Sequence, residues 1–271
     1  MNYRHSFHAG NFADLVKHAL VLWLLKAQQA ERDTVAVLDT HAGAGLYDLS
    51  GDATRSREAE AGVERLMQAD GLPPLIAALA DEVRAVNPNG GVRFYPGSPL
   101  LIARHLRPDD RYAGFDISGD VASLLVDALR RHPNASGRPG DGFKAVLAEA
   151  RAAPADLILI DPPFEQPDDY LRAAETTLEL VKARPGVVVA IWTPLKDLET
   201  FDGFLRRLGT AIPTVVAEVR LRPLTNPMKM NGCAMVVVNP PVGTDEAAAE
   251  ICGWVAGTLG EDGHKSEVWR L

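Results

Sequence analysis

A short apolar run that ends in an acid and two prolines places the strongest constraint on how this chain can fold. Leu157–Ile160 are four consecutive branched aliphatic residues, a pattern typical of a strand buried on both faces of a parallel sheet. Asp161 follows directly, and Pro162 and Pro163 end the strand because a proline nitrogen has no hydrogen to donate. The sequence therefore predicts a carboxylate at the carboxyl end of a central strand, where open α/β sheets bind ligands.

The same segment suits one kind of chemistry, attack by an exocyclic amino group of a nucleobase. Such an amine is a poor nucleophile because its lone pair is delocalised into the ring. The Asp161 carboxylate and the Pro162 carbonyl can both accept hydrogen bonds from the amine and stabilise the positive charge that develops on it. Phe164 offers a stacking face for a base taken out of its stack. A plain structural turn explains these residues equally well.

Composition narrows the class of protein. The 271 residues, 46% of them hydrophobic, are enough for one domain with a large core. Cys233 and Cys252 form no CxxC pattern, so we expect neither a disulfide framework nor a metal site. No signal peptide or membrane-length apolar run is visible, which predicts a soluble, cytoplasmic protein without a membrane partner. The net charge of −8 argues mildly against nucleic acid as a partner, although Arg220, Arg222 and Lys229 leave room for a local basic face.

The apolar periodicity predicts one doubly wound α/β sheet with helices on both faces. Residues 49–92 interrupt the alternation with two helices, so we predict a main α/β domain of residues 1–48 and 93–271 with an inserted helical subdomain at 49–92. Residues 1–10 are polar and aromatic and read as an N-terminal arm. The predicted strands are 34–38, 111–115, 156–160, 186–192, 214–221 and 234–238, and the predicted helices are 11–30, 57–69, 73–86, 96–106, 119–132, 168–183, 195–208 and 244–259.

A glycine turn and a second acid follow the first two of these strands. Gly43 and Gly45 come shortly after Asp39 and permit the tight turn and close backbone approach that a bound nucleoside needs. The third glycine of the dinucleotide fingerprint is missing, and a structural turn also explains the pair. Asp116 ends the next strand, where an acid typically hydrogen-bonds ribose hydroxyls.

In this order, Asp39-x-x-x-Gly43-x-Gly45, Asp116 and Asp161-Pro-Pro-Phe164 resemble the motifs of class I S-adenosylmethionine-dependent methyltransferases of the adenine-N6 type. The stretches Tyr-Arg-His-Ser-Phe-His-Ala-Gly-Asn, Thr-His-Ala-Gly-Ala-Gly and Tyr-Pro-Gly-Ser-Pro resemble more closely the RlmJ family, which methylates an adenine N6 in 23S ribosomal RNA. The resemblance covers essentially the whole chain. It implies a Rossmann-like class I fold with a mostly parallel seven-stranded sheet, S-adenosylmethionine as the methyl donor, and a monomer that acts on protein-free or early-assembly 23S rRNA.

The resemblance also implies roles for individual residues. Asp161 would be the catalytic carboxylate, flanked by Pro162 and Phe164, while Asp116 would take the ribose hydroxyls. Two positions depart from the family pattern: Asp116 stands where a longer Glu is common, and Phe164 stands where Tyr is common. The implied cofactor-binding set, in which the Asp141-Gly142 pair would lie at the adenine ring, is His18, His41, Gly43, Gly45, Ser98, Asp116, Asp141, Gly142 and Asp161.

Contacts with the RNA are expected from the N-terminal arm and from residues 220–229. The resemblance implies that Tyr3 meets the substrate RNA. Because they are positively charged, we also expect Arg4, Arg220, Arg222 and Lys229 to contact RNA phosphates.

Two other functions remain open at this point. A DNA adenine-N6 methyltransferase is possible because Asp-Pro-Pro-Phe serves either polymer, although no separate target-recognition domain is visible. A non-catalytic nucleic-acid-binding module on the same fold is the second alternative, and it predicts a broken motif, whereas Gly43, Gly45 and Asp161 are all present. The missing third glycine argues against a Rossmann oxidoreductase.

Overall fold

The computed structural model describes residues 8–50, 57–224 and 230–271, and its elements alternate between strands and helices. The strands are β1 (Ala36–Asp39), β2 (Leu46–Asp48), β3 (Phe94–Pro96), β4 (Arg111–Asp116), β5 (Ala135–Pro139), β6 (Leu157–Ile160), β7 (Val188–Pro194), β8 (Thr214–Arg220), β9 (Gly232–Val238) and β10 (Lys265–Arg270). The helices are α1 (Phe12–Glu31), α2 (Arg65–Gln68), α3 (Pro74–Val86), α4 (Ser98–His105), α5 (Gly119–Leu129), α6 (Gly142–Ala152), α7 (Asp169–Ala183), α8 (Leu198–Leu208) and α9 (Thr244–Leu259).

Eight strands form one sheet in the order β10-β8-β9-β7-β6-β1-β4-β5. The strands β7, β6, β1, β4 and β5 are parallel neighbours, whereas β9 runs antiparallel to β7 and β8, and β10 runs antiparallel to β8. The chain passes from β1 outward to β4 and β5, and then returns to β6 on the other side of β1. The strand order thus reverses between β1 and β6, which is where ligands bind in open α/β sheets. This is the Rossmann-like class I architecture that the sequence predicts.

The sheet has eight strands, one more than expected, and the pattern analysis located neither edge strand. β5 reads Ala-Ser-Gly-Arg-Pro and β10 reads Lys-Ser-Glu-Val-Trp-Arg, and neither contains an apolar run. An edge strand pairs on one side only and stays largely exposed, so its sequence does not need the continuous apolar run that marks a buried strand.

Helices cover both faces of the sheet, and the central strand β6 contributes side chains to both cores. Leu157 and Leu159 pack in the larger core with α1, α4, α5 and α9, and Ile158 and Ile160 pack in the second core with α6, α7 and α8. Successive side chains of a strand point to opposite faces, so an uninterrupted apolar run is buried on both sides. All four residues are at most 1% exposed, and the prediction is confirmed.

Helix α1 begins where its sequence predicts and packs across the larger core. Asn11 is the N-cap, since its Oδ1 accepts hydrogen bonds from the backbone N–H of Ala13 at 2.9 Å and of Asp14 at 3.0 Å. The helix contains the apolar residues 19–25, which are mostly buried against the sheet. In the part of the chain that the structure describes, no helix has the length and apolar character needed to cross a membrane.

The two helices predicted between β2 and β3 are present, and they pack on α1. The first contains a π-helical stretch, Glu60–Glu64, that runs into α2, and the second is α3, which has Pro74 at its first position. Gly62 lies directly on the backbone of Gly10, whose carbonyl accepts a 2.8 Å hydrogen bond from Val63 N. Side chains from both helices, including Val63 and Ile76, are fully buried in the larger core. The boundaries 49–92 for a separate subdomain stay a prediction.

Candidate active site

Four loops at the carboxyl ends of the parallel strands bring most of the predicted site residues to one edge of the sheet. Asp161 follows β6, the glycine turn follows β1, Asp116 ends β4 and Asp141 follows β5. The loops are joined by backbone hydrogen bonds, Thr40 N to the Leu159 carbonyl at 3.0 Å and Ala42 N to the Phe115 carbonyl at 2.9 Å. The order of the loops along this edge is the strand order, from the loop with Asp161 to the loop with Asp141.

Asp161 is held by a buried lysine that the sequence analysis did not select. Lys17 Nζ lies 2.6 Å from Asp161 Oδ2 and 2.9 Å from Asp14 Oδ1. The three side chains are 4%, 11% and 6% exposed, in the order Lys17, Asp161, Asp14. The sequence did contain a signal for this lysine. It stands three residues after an Asp on the apolar face of α1, where a charge is strongly disfavoured unless it has a partner.

The lysine remains protonated in this setting. Burial on its own lowers the pKa of a lysine, because it removes the ammonium group from water. The charges and hydrogen bonds of Asp14 and Asp161 outweigh that effect and raise the pKa of Lys17 well above its usual 10.5. Lys17 is therefore a fixed positive charge that orients the Asp161 carboxylate.

Asp39 forms a second buried acidic group beside the first. Its Oδ2 accepts hydrogen bonds from Ser98 Oγ and from the Tyr112 hydroxyl, each at 3.1 Å, and the backbone N–H of His41 donates to Oδ1 at 3.2 Å. Burial, followed by the charge of Asp161, raises the pKa of Asp39 to about 7. Ser98, predicted to bind the cofactor, is itself buried and directs its hydroxyl to Asp39.

The glycine turn needs its glycines for the shape of the backbone. Gly43 has a φ of +66° and Gly45 a φ of +77°, a region that side-chain-bearing residues rarely adopt. A Cβ on Gly43 would lie on the Tyr47 hydroxyl, and a Cβ on Gly45 would lie 3.0 Å from Ala128 Cβ. The turn is tied to β4, because Gly43 N donates to Asp116 Oδ2 at 3.2 Å.

The two predicted cofactor histidines occupy different environments. The ring of His41 lies edge-on to Phe143, with ring centres 4.9 Å apart, and its Nδ1 is 2.7 Å from Thr40 Oγ1. Burial lowers the pKa of His41 to about 4 despite the nearby charge of Asp161, so the ring is neutral at pH 7. His18 lies deeper, 1% exposed, with Nδ1 2.7 Å from the Tyr95 hydroxyl.

The aromatic ring of the Asp-Pro-Pro-Phe turn is covered in this structure. Phe164 has a φ of +51° and is 6% exposed. Its ring centre lies 4.5 Å from that of Tyr170 and 5.9 Å from that of Trp192, and its carbonyl accepts a hydrogen bond from Lys196 Nζ at 3.3 Å. The sequence analysis expected an open stacking face, but here a base can stack on Phe164 only after the ring moves.

Asp141 lies at the outer end of the site, where it caps helix α6. Its Oδ1 accepts a long 3.4 Å hydrogen bond from Lys144 N, and both carboxylate oxygens contact Arg172. Gly142 lies on the backbone of Thr40, and a Cβ there would collide with the Thr40 carbonyl. The start of α6 is therefore packed closely against the loop that follows β1.

The residues expected to contact RNA are only partly described. Tyr3, Arg4 and Lys229 lie outside the described residues. Arg220 and Arg222, at the carboxyl end of β8, each face a carboxylate: Arg220 pairs with Glu218, and Arg222 Nη2 lies 2.8 Å from Glu261 Oε1. These two arginines therefore form ion pairs within the protein, which weakens the case for them as phosphate contacts.

The chemistry of this edge suits a cationic nucleoside. Asp14 and Asp161 both pair with the buried Lys17. Asp39 is close enough to Asp161 for the two charges to interact, and Asp116 accepts a hydrogen bond from the glycine turn. Even with Asp39 protonated, the acids outnumber the lysine, and opposite charge at short range favours a positively charged ligand. Asp116 ends the strand next to the glycine turn, the position from which an acid reaches ribose hydroxyls.

The chain matches known proteins along nearly its whole length. The family model described as "Ribosomal RNA large subunit methyltransferase D, RlmJ" matches residues 32–271. Ribosomal RNA large subunit methyltransferase J of Escherichia coli (strain K12) is 31% identical over 275 residues, which cover 99% of this chain and 98% of that protein. The protein of the same name from Haemophilus influenzae is 31% identical over 270 residues, with 97% and 95% covered.

A solved structure has the same fold. The crystal structure of a protein from Legionella pneumophila superposes with a TM-score of 0.86 at 23% identity, covering 97% of this chain and 98% of that chain. At this level of identity, the match shows that the two proteins share a fold, and it carries no statement about activity.

Proposed function

Because the chain belongs to the RlmJ family of ribosomal RNA large subunit methyltransferases, we propose that it transfers a methyl group from S-adenosylmethionine to N6 of an adenine in 23S rRNA. The observation that carries the proposal is Asp161, a carboxylate at the topological switch point whose orientation is fixed by the buried charge of Lys17. We further propose a cytoplasmic monomer that acts on protein-free or early-assembly rRNA.

The acidic edge of the sheet is the proposed site for the methyl donor. When bound, S-adenosylmethionine supplies an electrophilic methyl group on a positively charged sulfonium. Asp116 would hold the ribose hydroxyls, Asp141 and Gly142 would lie at the adenine ring, and the turn of Gly43 and Gly45 would form the floor. Ser98 and His18, two of the residues predicted to bind the cofactor, would support the site indirectly. Ser98 hydrogen-bonds to Asp39, and His18 hydrogen-bonds to Tyr95. His41, neutral at pH 7, adds no positive charge against the sulfonium.

Asp161 and Pro162 act on the substrate amine. The Asp161 carboxylate and the Pro162 carbonyl accept hydrogen bonds from the two N–H groups of adenine N6, which localises the lone pair on nitrogen. As the C–N bond formed, the methyl–sulfur bond would break and its electron pair would leave with S-adenosylhomocysteine. The positive charge on the nitrogen would develop next to the Asp161 carboxylate, which would accept the proton that the amine loses. Lys17 keeps this carboxylate in one orientation throughout, and orientation is a large part of the rate in such transfers.

The RNA would reach this site over the carboxyl edge of the sheet. We propose that Tyr3 and Arg4 of the predicted arm, and Lys229, which lies between β8 and β9 in the sequence, contact the RNA. We also propose that the flipped adenine stacks on Phe164. Because Phe164 is covered by Tyr170 and Trp192, entry of the base includes a movement of this ring.

The test is transfer of a tritiated methyl group from S-adenosylmethionine to unmodified 23S rRNA and, separately, to duplex DNA, followed by nucleoside analysis. We expect N6-methyladenosine in the rRNA, and a loss of at least about 100-fold in turnover for Asp161→Ala. Binding of S-adenosylhomocysteine, measured by calorimetry, should persist in that variant. Glu165→Gln is the matched control, since Glu165 is an exposed carboxylate four residues further along the same loop.

Three outcomes would contradict parts of the proposal. Label in DNA but not in rRNA would keep the chemistry and change the substrate. Near-normal turnover in Asp161→Ala would contradict the mechanism. Binding of the cofactor product without methyl transfer to either polymer would favour a nucleic-acid-binding module.

A further inference from the structure

A cluster of four side chains joins the outer end of the site to the helix that follows the Asp-Pro-Pro-Phe turn. Arg172, in the first turns of α7, places Nη2 3.0 Å from Asp141 Oδ1 and 2.9 Å from Asp141 Oδ2. The guanidinium carbon of Arg172 lies 4.4 Å from the centre of the Phe143 ring, within the range of a cation–π contact. Phe143 in turn packs edge-on against His41. The residues come from the loops after β1 and β5, from the start of α6 and from α7.

Arg172 provides the short contacts that fix the Asp141 carboxylate. The N-cap hydrogen bond from Lys144 N is 3.4 Å long, beyond the range of a strong N–H···O bond, and Lys144 Nζ is 3.9 Å away on a side chain that is 86% exposed. The planar guanidinium is itself fixed by the Phe143 ring, which is 4% exposed. The direction of the free lone pairs of Asp141 is therefore set by Arg172.

The strand order shows which part of a bound nucleoside would face Asp141. The site runs from Asp161 after β6, past the glycine turn after β1 and Asp116 at the end of β4, to Asp141 after β5. If Asp161 marks the reacting methyl group and Asp116 the ribose, the base of the methyl donor lies at Asp141. A carboxylate has about four acceptor positions, so Asp141 can bond to Arg172 and still accept from an exocyclic amine.

We propose that Arg172 is a positioning residue that holds Asp141 for recognition of the 6-amino group of the methyl donor's adenine. The inference rests on the proposed function, because it requires the adenosyl group to bind at this edge. Arg172 acts through Asp141, and it determines selectivity for adenine over bases that lack a donor at this position.

The experiment measures selectivity between two ligands that differ at that one position. Calorimetry with S-adenosylhomocysteine and S-inosylhomocysteine compares a 6-amino donor with a 6-oxo acceptor, which a carboxylate repels. We expect wild-type protein to favour the adenosyl ligand by about tenfold or more, as for a hydrogen bond to a charged group. In Arg172→Ala the preference should fall to within about threefold, through weaker binding of the adenosyl ligand, with the Michaelis constant for S-adenosylmethionine raised by a similar factor and kcat retained.

Two further variants separate positioning from general stabilisation. Arg151→Ala is the matched control, because Arg151 Nη2 lies 2.7 Å from Glu179 Oε2 in an exposed ion pair that also joins α6 to α7. It should leave the preference unchanged. Arg172→Lys should restore only part of it, since lysine keeps the charge but not the planar fork that stacks on Phe143.

The outcomes distinguish this inference from the proposed function. An unchanged preference in Arg172→Ala, or equal weakening of both ligands there and in Arg151→Ala, would overturn the role of Arg172 while the proposed function stands. Wild-type protein that binds neither ligand would overturn the proposed function and this inference with it.

Discussion

The two ends of the active-site edge each contain a cation paired with a carboxylate, and they differ mainly in burial. At the inner end, Lys17 and Asp161 are 4% and 11% exposed, whereas at the outer end Arg172 and Asp141 are 35% and 28% exposed. Breaking a buried pair leaves a charge without water or partner, which is costly, while an exposed pair contributes little to stability. We therefore expect the inner pair to contribute to the stability of the fold as well as to the orientation of Asp161, and the outer pair to contribute mainly to the orientation of Asp141.

The largest effect is expected from Lys17→Met, which removes the cation and keeps the length of the side chain. Asp14 and Asp161 then face each other without compensation, so we expect the free energy of unfolding to fall by about 3–5 kcal/mol. Methyl transfer should fall with it, since Asp161 loses its fixed orientation. Urea unfolding followed by circular dichroism measures the first effect, and the tritium assay measures the second.

A double variant sharpens the comparison at the inner end. Adding Asp14→Asn to Lys17→Met removes the charge of one of the two carboxylates that Lys17 compensated, so part of the lost stability should return while turnover stays low. A loss below about 1 kcal/mol in the single variant would mean that the inner pair behaves like an exposed one, and the contrast between the two ends would be wrong.

An intermediate effect is expected from Asp39→Asn, and it depends on pH. The folded protein keeps the Asp39 proton up to a pKa of about 7, against 3.8 for an ordinary aspartate, so this group makes the free energy of unfolding fall as pH rises from about 4 to 7. The maximum slope is about 1.4 kcal/mol per pH unit. His41, whose pKa is lowered to about 4, acts in the opposite direction over a similar window.

The comparison between wild type and Asp39→Asn isolates the aspartate, because His41 is common to both. Urea unfolding is measured for both proteins at intervals between pH 4.5 and 7.5. As pH rises, the free energy of unfolding of the wild type should fall relative to that of Asp39→Asn. Parallel curves for the two proteins would mean that Asp39 is ionised throughout this range.

The smallest effect is expected at the outer end. Arg172→Ala and Arg151→Ala each remove one arm of a solvent-accessible ion pair, so each should change the free energy of unfolding by no more than about 1 kcal/mol. Thermal unfolding in 50 mM and 500 mM salt is the measurement, and the small differences should shrink further at high salt. A large fall in the free energy of unfolding for Arg172→Ala but not for Arg151→Ala would mean that the pair of Arg172 and Asp141 stabilises the fold.

The sequence was sufficient for the central architecture and for the position of Asp161. The buried strands carry an uninterrupted apolar pattern, and Asp161-Pro-Pro marks the end of one of them whatever surrounds it. Lys17 was not found because its partner Asp161 is 144 positions away, and only the packing of α1 on β6 brings the two together. Phe164 was assigned an open face because the pattern does not reveal that Tyr170 and Trp192 close over it.

The outer end of the site was predicted less completely, for a similar reason. Asp116 follows from its position at the end of a predicted strand, whereas Asp141 was implied only by the family resemblance, and the partner of Asp141 was not predicted at all. Arg172 occupies a half-exposed position on an amphipathic helix, where a charged residue is the ordinary expectation. The role that we propose for it depends on its distance from Asp141, and local patterns carry no such information.

The last strand, β10, also covers a sheet edge that could otherwise pair with another molecule. β10 pairs along the whole of β8, whose sequence Thr-Val-Val-Ala-Glu-Val-Arg would otherwise present a long, mostly apolar open edge. β10 instead presents Lys265, Glu267 and Arg270 to solvent, and alternating charges on an edge strand discourage pairing with another molecule. Removing the final seven residues would expose the edge of β8 and convert it into a template for aggregation.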